Sequence, residues 1–309
     1  MNRAFVFPGQ GSQIVGMGKE FYDNFQVARE TFEIVDDTLG RKLSQIIFDG
    51  PSEDLTLTTN AQPALMTISM AIVNVIKQQT NKNISNLCSY IAGHSLGEYS
   101  ALCTAESIDI QVTTELLTVR SKSMQEAYPL GKGLMAACIG IPLGKLEEIV
   151  KEVDNFDIAN DNIEGQVVIS GEIIAVQRVM SIVKDLGYKA IKLNVSSPFH
   201  CGLMKPAEDE MAKALDKITI NKPFVPVIQN VTAKPTTNPI EIKQNLISQI
   251  CGRVRWRQTL DKLEHLKIEQ IVEIGAGKVL TNMLKKTDHK FNLINVSTIV
   301  ELEEFLKIV

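Results

Sequence analysis

The 309-residue sequence has no excess of positive charge, since 36 acidic and 32 basic side chains give a formal net charge of −4. Binding nucleic acid through bulk charge requires a basic face, so we expect no nucleic-acid partner. No apolar run approaches the ~18 residues of a membrane span, and the first residues lack the apolar stretch of a signal peptide. We therefore expect a soluble, cytoplasmic protein without a membrane partner.

The five cysteines are an odd number, are widely scattered and contain no Cys-x-x-Cys pair. This arrangement excludes a disulfide framework and a zinc ribbon, fits a reducing cytosol, and leads us to expect no metal site. Hydrophobic residues make up 44% of the chain and charged residues 22%, which is an ordinary globular balance. A largely disordered chain is therefore not expected.

Short apolar runs alternate with helical patterns along most of the chain. Predominantly apolar runs of this length are typical of strands buried on both faces of a parallel sheet. The sequence therefore predicts an α/β fold with an α/β-hydrolase-like parallel-sheet core. The predicted strands cover residues 4–7, 87–92, 225–231, 270–274 and 293–296.

Residues 133–195 follow a different order, strand-helix-strand-strand-helix-strand, which is that of a ferredoxin-like unit. Pro129-Leu130-Gly131 marks its entrance and Ser196-Ser197-Pro198 its exit. We predict a large α/β catalytic domain formed by residues 1–128 and 199–309, with an inserted ferredoxin-like subdomain at residues 129–198.

Gly93-His94-Ser95-Leu96-Gly97 has the G-x-S-x-G pattern of a nucleophile elbow. It follows a predicted strand and opens a helical pattern, which is the strand-turn-helix context of such a turn. The glycines allow the strand and helix backbones to pack closely, and the strained turn presents the serine hydroxyl. A plain turn with a capping serine is the alternative, but the context favours Ser95 as a nucleophile.

A serine nucleophile needs a general base, and the sequence contains only four histidines, His94, His200, His265 and His289. His94 adjoins Ser95, so its side chain should point away from the hydroxyl, and His265 and His289 lie in charged or polar segments. His200 remains as the candidate base, beside a proline at the predicted domain junction. No acidic residue carries a triad motif, so a backbone carbonyl could orient the imidazole instead.

Gly9-Gln10-Gly11 follows the first predicted strand, but the dinucleotide pattern G-x-G-x-x-G fails at Ile14, and the Walker A pattern is absent. The loop is either a plain turn or a loop in which the glycines give the backbone the freedom to point its N–H groups at an oxyanion. An elbow enzyme pairs an N–H from such a loop with the N–H that follows its nucleophile, here that of Leu96.

Arg120 lies on the apolar face of the predicted helix 110–127, because Leu116, Leu117 and Met124 are its neighbours at helical spacing. An unpaired charge on such a face is costly. One interpretation is a snorkelling side chain or a structural ion pair; the other is a guanidinium that grips a carboxylate in a cleft.

Several segments, taken together and in order, resemble the malonyl-CoA:acyl-carrier-protein transacylases of bacterial fatty acid synthesis. The resemblance extends over essentially the whole chain. The matching segments are residues 7–13, 93–99, 120–125, 165–171, 197–200 and 273–275.

This resemblance implies an acyltransferase that moves a malonyl group from malonyl-CoA to the phosphopantetheine thiol of acyl carrier protein through a malonyl-Ser95 intermediate. It implies coenzyme A thioester as substrate, no permanently bound cofactor, and a monomer. The site roles that it implies are Ser95 and His200 in catalysis, Gln10 and Leu96 as oxyanion N–H donors, Arg120, Phe199, Asn160 and Asn162 in substrate binding, and the carbonyl of Arg255 as the group that orients His200.

The chain departs from the family pattern at Gly252-Arg253 and around Asp161, where an aromatic residue is commoner. The alternating Arg253, Arg255 and Arg257 suggest either a surface for coenzyme A phosphates or an acidic carrier protein, or a solvated loop. Two alternative functions are a serine acylhydrolase or thioesterase and a non-catalytic carrier-protein docking subunit. Arg120 disfavours a hydrolase of neutral esters, because such an enzyme has no use for it. The intact set of Ser95, His200 and Arg120 disfavours an inert subunit.

Overall fold

The computed structural model describes residues 2–309 of the chain. These residues form ten strands and fourteen α-helices. The strands are β1 (Arg3–Phe7), β2 (Tyr90–Gly93), β3 (Gly133–Ile139), β4 (Phe156–Ile163), β5 (Gln166–Glu172), β6 (Lys189–Lys192), β7 (Val227–Ile228), β8 (Pro235–Thr236), β9 (Gln270–Ile274) and β10 (Asn292–Val296).

The helices surround the strands and connect them. They are α1 (Lys19–Asn24), α2 (Gln26–Leu39), α3 (Leu43–Asp49), α4 (Ser52–Thr56), α5 (Thr58–Thr80), α6 (Gly97–Thr104), α7 (Ile110–Glu126), α8 (Leu143–Val150), α9 (Ile173–Asp185), α10 (Lys205–Asp216), α11 (Pro239–Gln249), α12 (Trp256–His265), α13 (Val279–Leu284) and α14 (Ile299–Leu306).

A six-stranded sheet in the order β10-β9-β1-β2-β7-β8 forms the centre of the fold. Its first five strands are parallel, and only β8 runs antiparallel, to β7. Every residue of β1 and β9 is buried, because helices cover both faces of a parallel sheet. The prediction of a parallel-sheet core is confirmed.

Two of the predicted strands are shorter in the structure than in the prediction. The run 225–231 forms only β7, because Pro226 has no N–H to donate and the chain turns back where the amide of Ala233 donates to Gln229. The run 87–92 forms a strand only from Tyr90, because the amides of Leu87 and Cys88 close a turn on Ile84.

A separate antiparallel sheet in the order β4-β5-β3-β6 is built from residues 133–192. Its strands and the helices α8 and α9 follow one another in the predicted order. The buried faces of these elements enclose an apolar cluster of their own, which includes Leu146, Ile169 and Val179. The fold is therefore a mixed α/β fold with a parallel core and a second, antiparallel sheet.

Helix α5 is the longest helix, and its side chains are buried from Asn60 to Val73. Its apolar side chains belong to the main core, which also contains side chains of α2, α7 and the central strands. Across residues 2–309, no helix combines the length and the apolar character needed to cross a membrane.

Candidate active site

The predicted elbow is a sharp turn between the end of β2 at Gly93 and the start of α6 at Gly97. A Cβ on Gly93 would lie 1.9 Å from the carbonyl oxygen of Gly97, and a Cβ on Gly97 would lie 2.3 Å from that of Phe7. Both contacts are with backbone, which cannot move aside. Ser95, at the apex, has a φ of 53°, in the left-handed region. The turn is therefore strained, and glycine is required on both sides of it.

Ser95 and His200 form a hydrogen-bonded dyad, with 2.8 Å between Ser95 Oγ and His200 Nε2. The Nδ1–H of His200 donates to the backbone carbonyl of Gln249 at 2.8 Å. This bond leaves Nε2 as the proton acceptor, so the imidazole is oriented to take the proton of Ser95. His200 has a φ of 58°, so the base is also held in a left-handed conformation.

The prediction that the carbonyl of Arg255 orients His200 is wrong. That carbonyl accepts the backbone amide of Thr259 at 3.0 Å and the Thr259 hydroxyl at 3.1 Å, in the first turn of α12. The carbonyl that reaches His200 belongs to Gln249, the last residue of α11. The last carbonyls of a helix have no partner within it, so this one is free to accept from the imidazole.

Burial is the main cause that lowers the pKa of His200 to about 3, and the nearby positive charge of Arg120 contributes to this lowering. The backbone hydrogen bond to Gln249 acts in the opposite direction and does not offset the burial. The imidazole is therefore neutral at ordinary pH, which is the state that a general base requires.

Arg120 projects from α7 to the nucleophile, and its Nη2 donates to Ser95 Oγ at 3.1 Å. Its other hydrogen bonds go to neutral acceptors, the side-chain oxygens of Gln62 at 2.8 Å and Gln249 at 2.9 Å. The side chain is only 1% exposed, and its guanidinium lies 5.6 Å from the centre of the Tyr99 ring. The residue therefore neither snorkels nor, among residues 2–309, forms an ion pair, and its charge faces the nucleophile.

A cavity of about 290 Å³ opens beside the dyad, and Arg120 is part of its wall. Gln10 and Leu96, the predicted oxyanion residues, both line it, and neither backbone amide donates to another residue of the described range 2–309. Phe199 and Asn160 line it as well. The structure thus brings seven of the predicted site residues together, these four with Ser95, His200 and Arg120.

Asn162 is not among the residues that line the cavity. Its side-chain oxygen accepts the Nε2–H of His94 at 2.8 Å, and the ring of His94 packs edge-on against Trp256. His94 thus points away from the hydroxyl of Ser95, as predicted, and Asn162 supports the elbow. The side chain of Asn162 is thus engaged with His94 and is not part of the cavity wall.

A network of polar side chains lies behind the dyad and was not predicted from the sequence. Asn230 accepts the amide of Ser95 at 2.7 Å and donates to the carbonyl of Gly93 at 2.6 Å. Gln249 donates to the carbonyl of Ser95 at 3.0 Å and to Glu98 at 2.8 Å. Glu98 also accepts the amide of Asn230 at 3.0 Å. Isolated polar residues without a motif gave no signal for this network.

The buried carboxyl group of Glu98 has a pKa raised to about 7. Burial is the main cause, and it outweighs the hydrogen bonds from Asn230 and Gln249 and the charge of Arg120. One oxygen of the carboxyl group, Oε1, has no hydrogen-bond partner among the described residues. The group therefore carries a proton over a wider pH range than an exposed glutamate would.

The remaining charged candidates have partners away from the cavity. Arg253 pairs with Glu147 at 2.9 Å, and Arg257 with Asp161 at 3.0 Å. Two of the three alternating arginines are therefore engaged with carboxylates of residues 133–192. Within residues 2–309, no cluster of histidine, cysteine, aspartate and glutamate side chains has the arrangement of a metal site.

The family model described as "Acyl transferase domain" matches residues 4–303. The malonyl CoA-acyl carrier protein transacylase of Bacillus subtilis strain 168 is 42% identical over 299 residues, which cover 95% of this chain and 93% of that protein. The chain belongs to the malonyl CoA-acyl carrier protein transacylase family.

Solved structures of this transacylase family superimpose closely on the chain. The acyl-carrier-protein S-malonyltransferase of Bartonella henselae has a TM-score of 0.97 and 44% identity, and the match covers 100% of this chain and 99% of the other. A malonyl-transacylase in complex with a type II polyketide-synthase acyl-carrier protein has a TM-score of 0.95 and 38% identity, with 99% of each chain covered. The elbow, the dyad and Arg120 thus lie in the fold of this transacylase family.

Proposed function

We propose that this chain moves a malonyl group from malonyl-CoA to the phosphopantetheine thiol of acyl carrier protein, through a malonyl-Ser95 intermediate. The observation that carries the proposal is a buried arginine, with only neutral hydrogen-bond partners, whose Nη2 lies 3.1 Å from the hydroxyl of a Ser–His dyad. A small acyl group that ends in a carboxylate satisfies both the dyad and the arginine.

In the first half-reaction, Ser95 Oγ attacks the thioester carbonyl carbon while its proton passes to His200 Nε2. The amides of Gln10 and Leu96 would hold the resulting oxyanion, and each such donor contributes ~2.7–4 kcal/mol in the transition state. Collapse of the intermediate breaks the carbon–sulfur bond, and the departing coenzyme A thiolate takes the proton from His200. The products are malonyl-Ser95 and free coenzyme A.

In the second half-reaction, the carrier-protein thiol gives its proton to neutral His200, and its sulfur attacks the carbonyl carbon of malonyl-Ser95. A carbon–sulfur bond forms, the carbon–oxygen bond to Ser95 breaks, and His200 returns the proton to Ser95 Oγ. No base besides His200 is required, because the same imidazole receives and returns the proton in each step.

Arg120 accounts for the choice of malonyl over acetyl groups. The malonyl carboxylate would accept hydrogen bonds from the buried guanidinium and balance its charge, whereas an acetyl group would leave that guanidinium without an anion. A site that is built around an ionic partner rejects an analogue that lacks it more strongly than an apolar pocket can.

Other features of the proposal rest on the sequence and on the geometry together. We place Asn160 and Phe199 against the acyl thioester because both line the cavity. The core would be α/β-hydrolase-like and carried by residues 1–128 and 199–309, with residues 129–198 as an inserted ferredoxin-like subdomain. We propose a cytoplasmic monomer that needs no permanently bound cofactor; the free state of all five cysteines supports a reducing compartment.

The test is acyl transfer to acyl carrier protein by the wild type, Arg120→Ala and Arg120→Lys, with malonyl-CoA and acetyl-CoA as donors. Loss of the carboxylate's partner should lower kcat/KM for malonyl-CoA about 10²- to 10³-fold in Arg120→Ala and raise the relative use of acetyl-CoA. The kcat/KM of Arg120→Lys for malonyl-CoA should lie between those of the wild type and Arg120→Ala, because lysine keeps the charge but cannot donate two parallel hydrogen bonds to a carboxylate. The matched control is Arg178→Ala, an exposed arginine of α9. Unchanged malonyl selectivity in Arg120→Ala would refute the proposed role of Arg120.

A further inference from the structure

Strand β4 is the part of the antiparallel sheet that reaches the active site. It is an edge strand, and its pairing with β5 shifts register twice between Ile158 and Ile163. Along this irregular end, Asn160 lines the catalytic cavity and Asn162 accepts the hydrogen bond of His94. The position of β4 therefore sets one wall of the cavity and one contact of the elbow.

A short segment, residues 254–257, holds this end of β4. The amide of Asp161 donates to the carbonyl of Val254 at 2.9 Å, and the amide of Val254 donates to the carbonyl of Ala159 at 2.8 Å. Edge strands leave such groups unpaired unless another segment covers them. Segment 254–257 thus completes the outer edge of β4.

The same segment contacts the elbow on its other side. The amide of Arg255 donates to the carbonyl of Asn230 at 3.0 Å, and the side chain of Asn230 accepts the amide of Ser95. The ring of Trp256 packs edge-on against His94, with 5.6 Å between ring centres. Segment 254–257 is therefore the connector between β4 and the nucleophile.

One ion pair closes this connection. Nε of Arg257 lies 3.0 and 3.1 Å from the two carboxylate oxygens of Asp161, whose side chain is only 1% exposed. Arg257 is one-quarter exposed, and its Nη1 also lies 3.7 Å from Glu164, which is largely exposed. A carboxylate as buried as that of Asp161 is costly without its partner, so the pair favours the observed contact between β4 and Arg257.

We propose that Asp161 and Arg257 are positioning residues that fix β4 against segment 254–257 and so hold Asn160 in the cavity wall. Neither residue contacts the dyad. Ser95, His200, Arg120, Gln10 and Leu96 all lie outside the antiparallel sheet, so the chemistry at Ser95 should survive loss of the pair. Binding of the acyl thioester, which needs the wall formed by β4, should weaken.

This inference rests on the proposed transfer reaction, and its test separates the two. Malonyl transfer to acyl carrier protein is measured in the wild type, Asp161→Asn, Arg257→Met, Arg257→Lys and the double variant Asp161→Asn/Arg257→Met. We expect KM for malonyl-CoA to rise about tenfold in Arg257→Met while kcat stays within about twofold. Arg257→Lys should recover most of the wild-type KM, because lysine keeps a charge that can reach Asp161.

The double variant tests whether the two residues act as one pair. Its KM should be no higher than that of Arg257→Met, because the second substitution removes nothing that the first has left in place. Asp161→Asn also controls for misfolding, because Arg257→Met leaves the buried carboxylate of Asp161 without a partner whereas Asp161→Asn removes that charge. The control is Arg253→Met with Glu147→Gln, whose ion pair joins α8 to the loop before segment 254–257 and is more exposed, with Glu147 at 47%.

A wild type that transfers no malonyl group would refute the proposed function itself. If the wild type transfers it, an unchanged KM in both Arg257→Met and Asp161→Asn would overturn the positioning role. Three other results would overturn the positioning role as well. They are increases in KM that multiply in the double variant, a fall in kcat that matches the rise in KM, and an equal rise in KM in the control.

Discussion

The buried carboxyl group of Glu98 should make the wild type progressively less stable than Glu98→Gln as pH rises. The carboxyl group accepts hydrogen bonds from the amide of Asn230 and the side chain of Gln249, and its Oε1 has no partner among the described residues. A glutamine can keep an acceptor toward both donors, so the substitution removes the ionisation and retains much of the geometry.

The magnitude follows from the pKa of Glu98, which burial raises from 4.5 to about 7. Between these two values the unfolded chain has released the proton of Glu98 and the folded chain retains it, so the contribution of Glu98 to stability declines through this window as pH rises. At 1.36 kcal/mol for each pKa unit, the wild type should lose about 3 kcal/mol of unfolding free energy between pH 4.5 and pH 7 relative to Glu98→Gln.

The assay is urea unfolding of the wild type and Glu98→Gln at several values between about pH 5 and pH 8. The difference between the two should grow in favour of the variant as pH rises and should level off above the pKa of Glu98. Glu53→Gln, which alters an exposed glutamate at the start of α4, should follow the wild type. Parallel profiles for the wild type and Glu98→Gln would show that the buried carboxyl group does not titrate as argued.

Two further predictions concern the dyad and the elbow. Because the pKa of His200 is lowered to about 3, the base stays neutral down to pH 5. The rate of Ser95 acylation in a Glu98→Gln background should therefore not show the roughly thirtyfold decrease at pH 5 that a base with a pKa near 6.5 would cause. Single-turnover rates measure this, and a pH profile with a midpoint near 6.5 would contradict it. A Cβ on Gly93 would lie 1.9 Å from backbone, so Gly93→Ala should lower the unfolding free energy by about 3 kcal/mol or more, whereas Gly144→Ala, in open space in α8, should not lower it in the same urea experiment.

The elbow, the base and the parallel strands could be predicted from the sequence because each depends on local pattern. Gly93 and Gly97 flank Ser95 at fixed spacing, and elimination among four histidines left His200. The mostly apolar run 270–274 coincides with β9 because it contains no proline or glycine to interrupt strand pairing. Such signals lie within a few residues of the feature that they predict.

The contacts that hold these groups together could not be predicted, because they join residues that are distant in sequence. The carbonyl that orients His200 belongs to Gln249, and a backbone carbonyl is present at every position, so the residue type gives no signal. The pairing of Arg257 with Asp161 spans 96 residues and depends on how β4 meets segment 254–257. The sequence alone shows that Arg257 is charged, and not which carboxylate it meets.

The most direct test of the central claim is the intact mass of the protein after brief exposure to malonyl-CoA, followed by addition of acyl carrier protein. The wild type should gain the mass of one malonyl group, which should then move to the carrier protein, and Ser95→Ala should gain none. An adduct that persists in Ser95→Ala, or one that water removes while the carrier protein stays unmodified, would contradict malonyl transfer through Ser95.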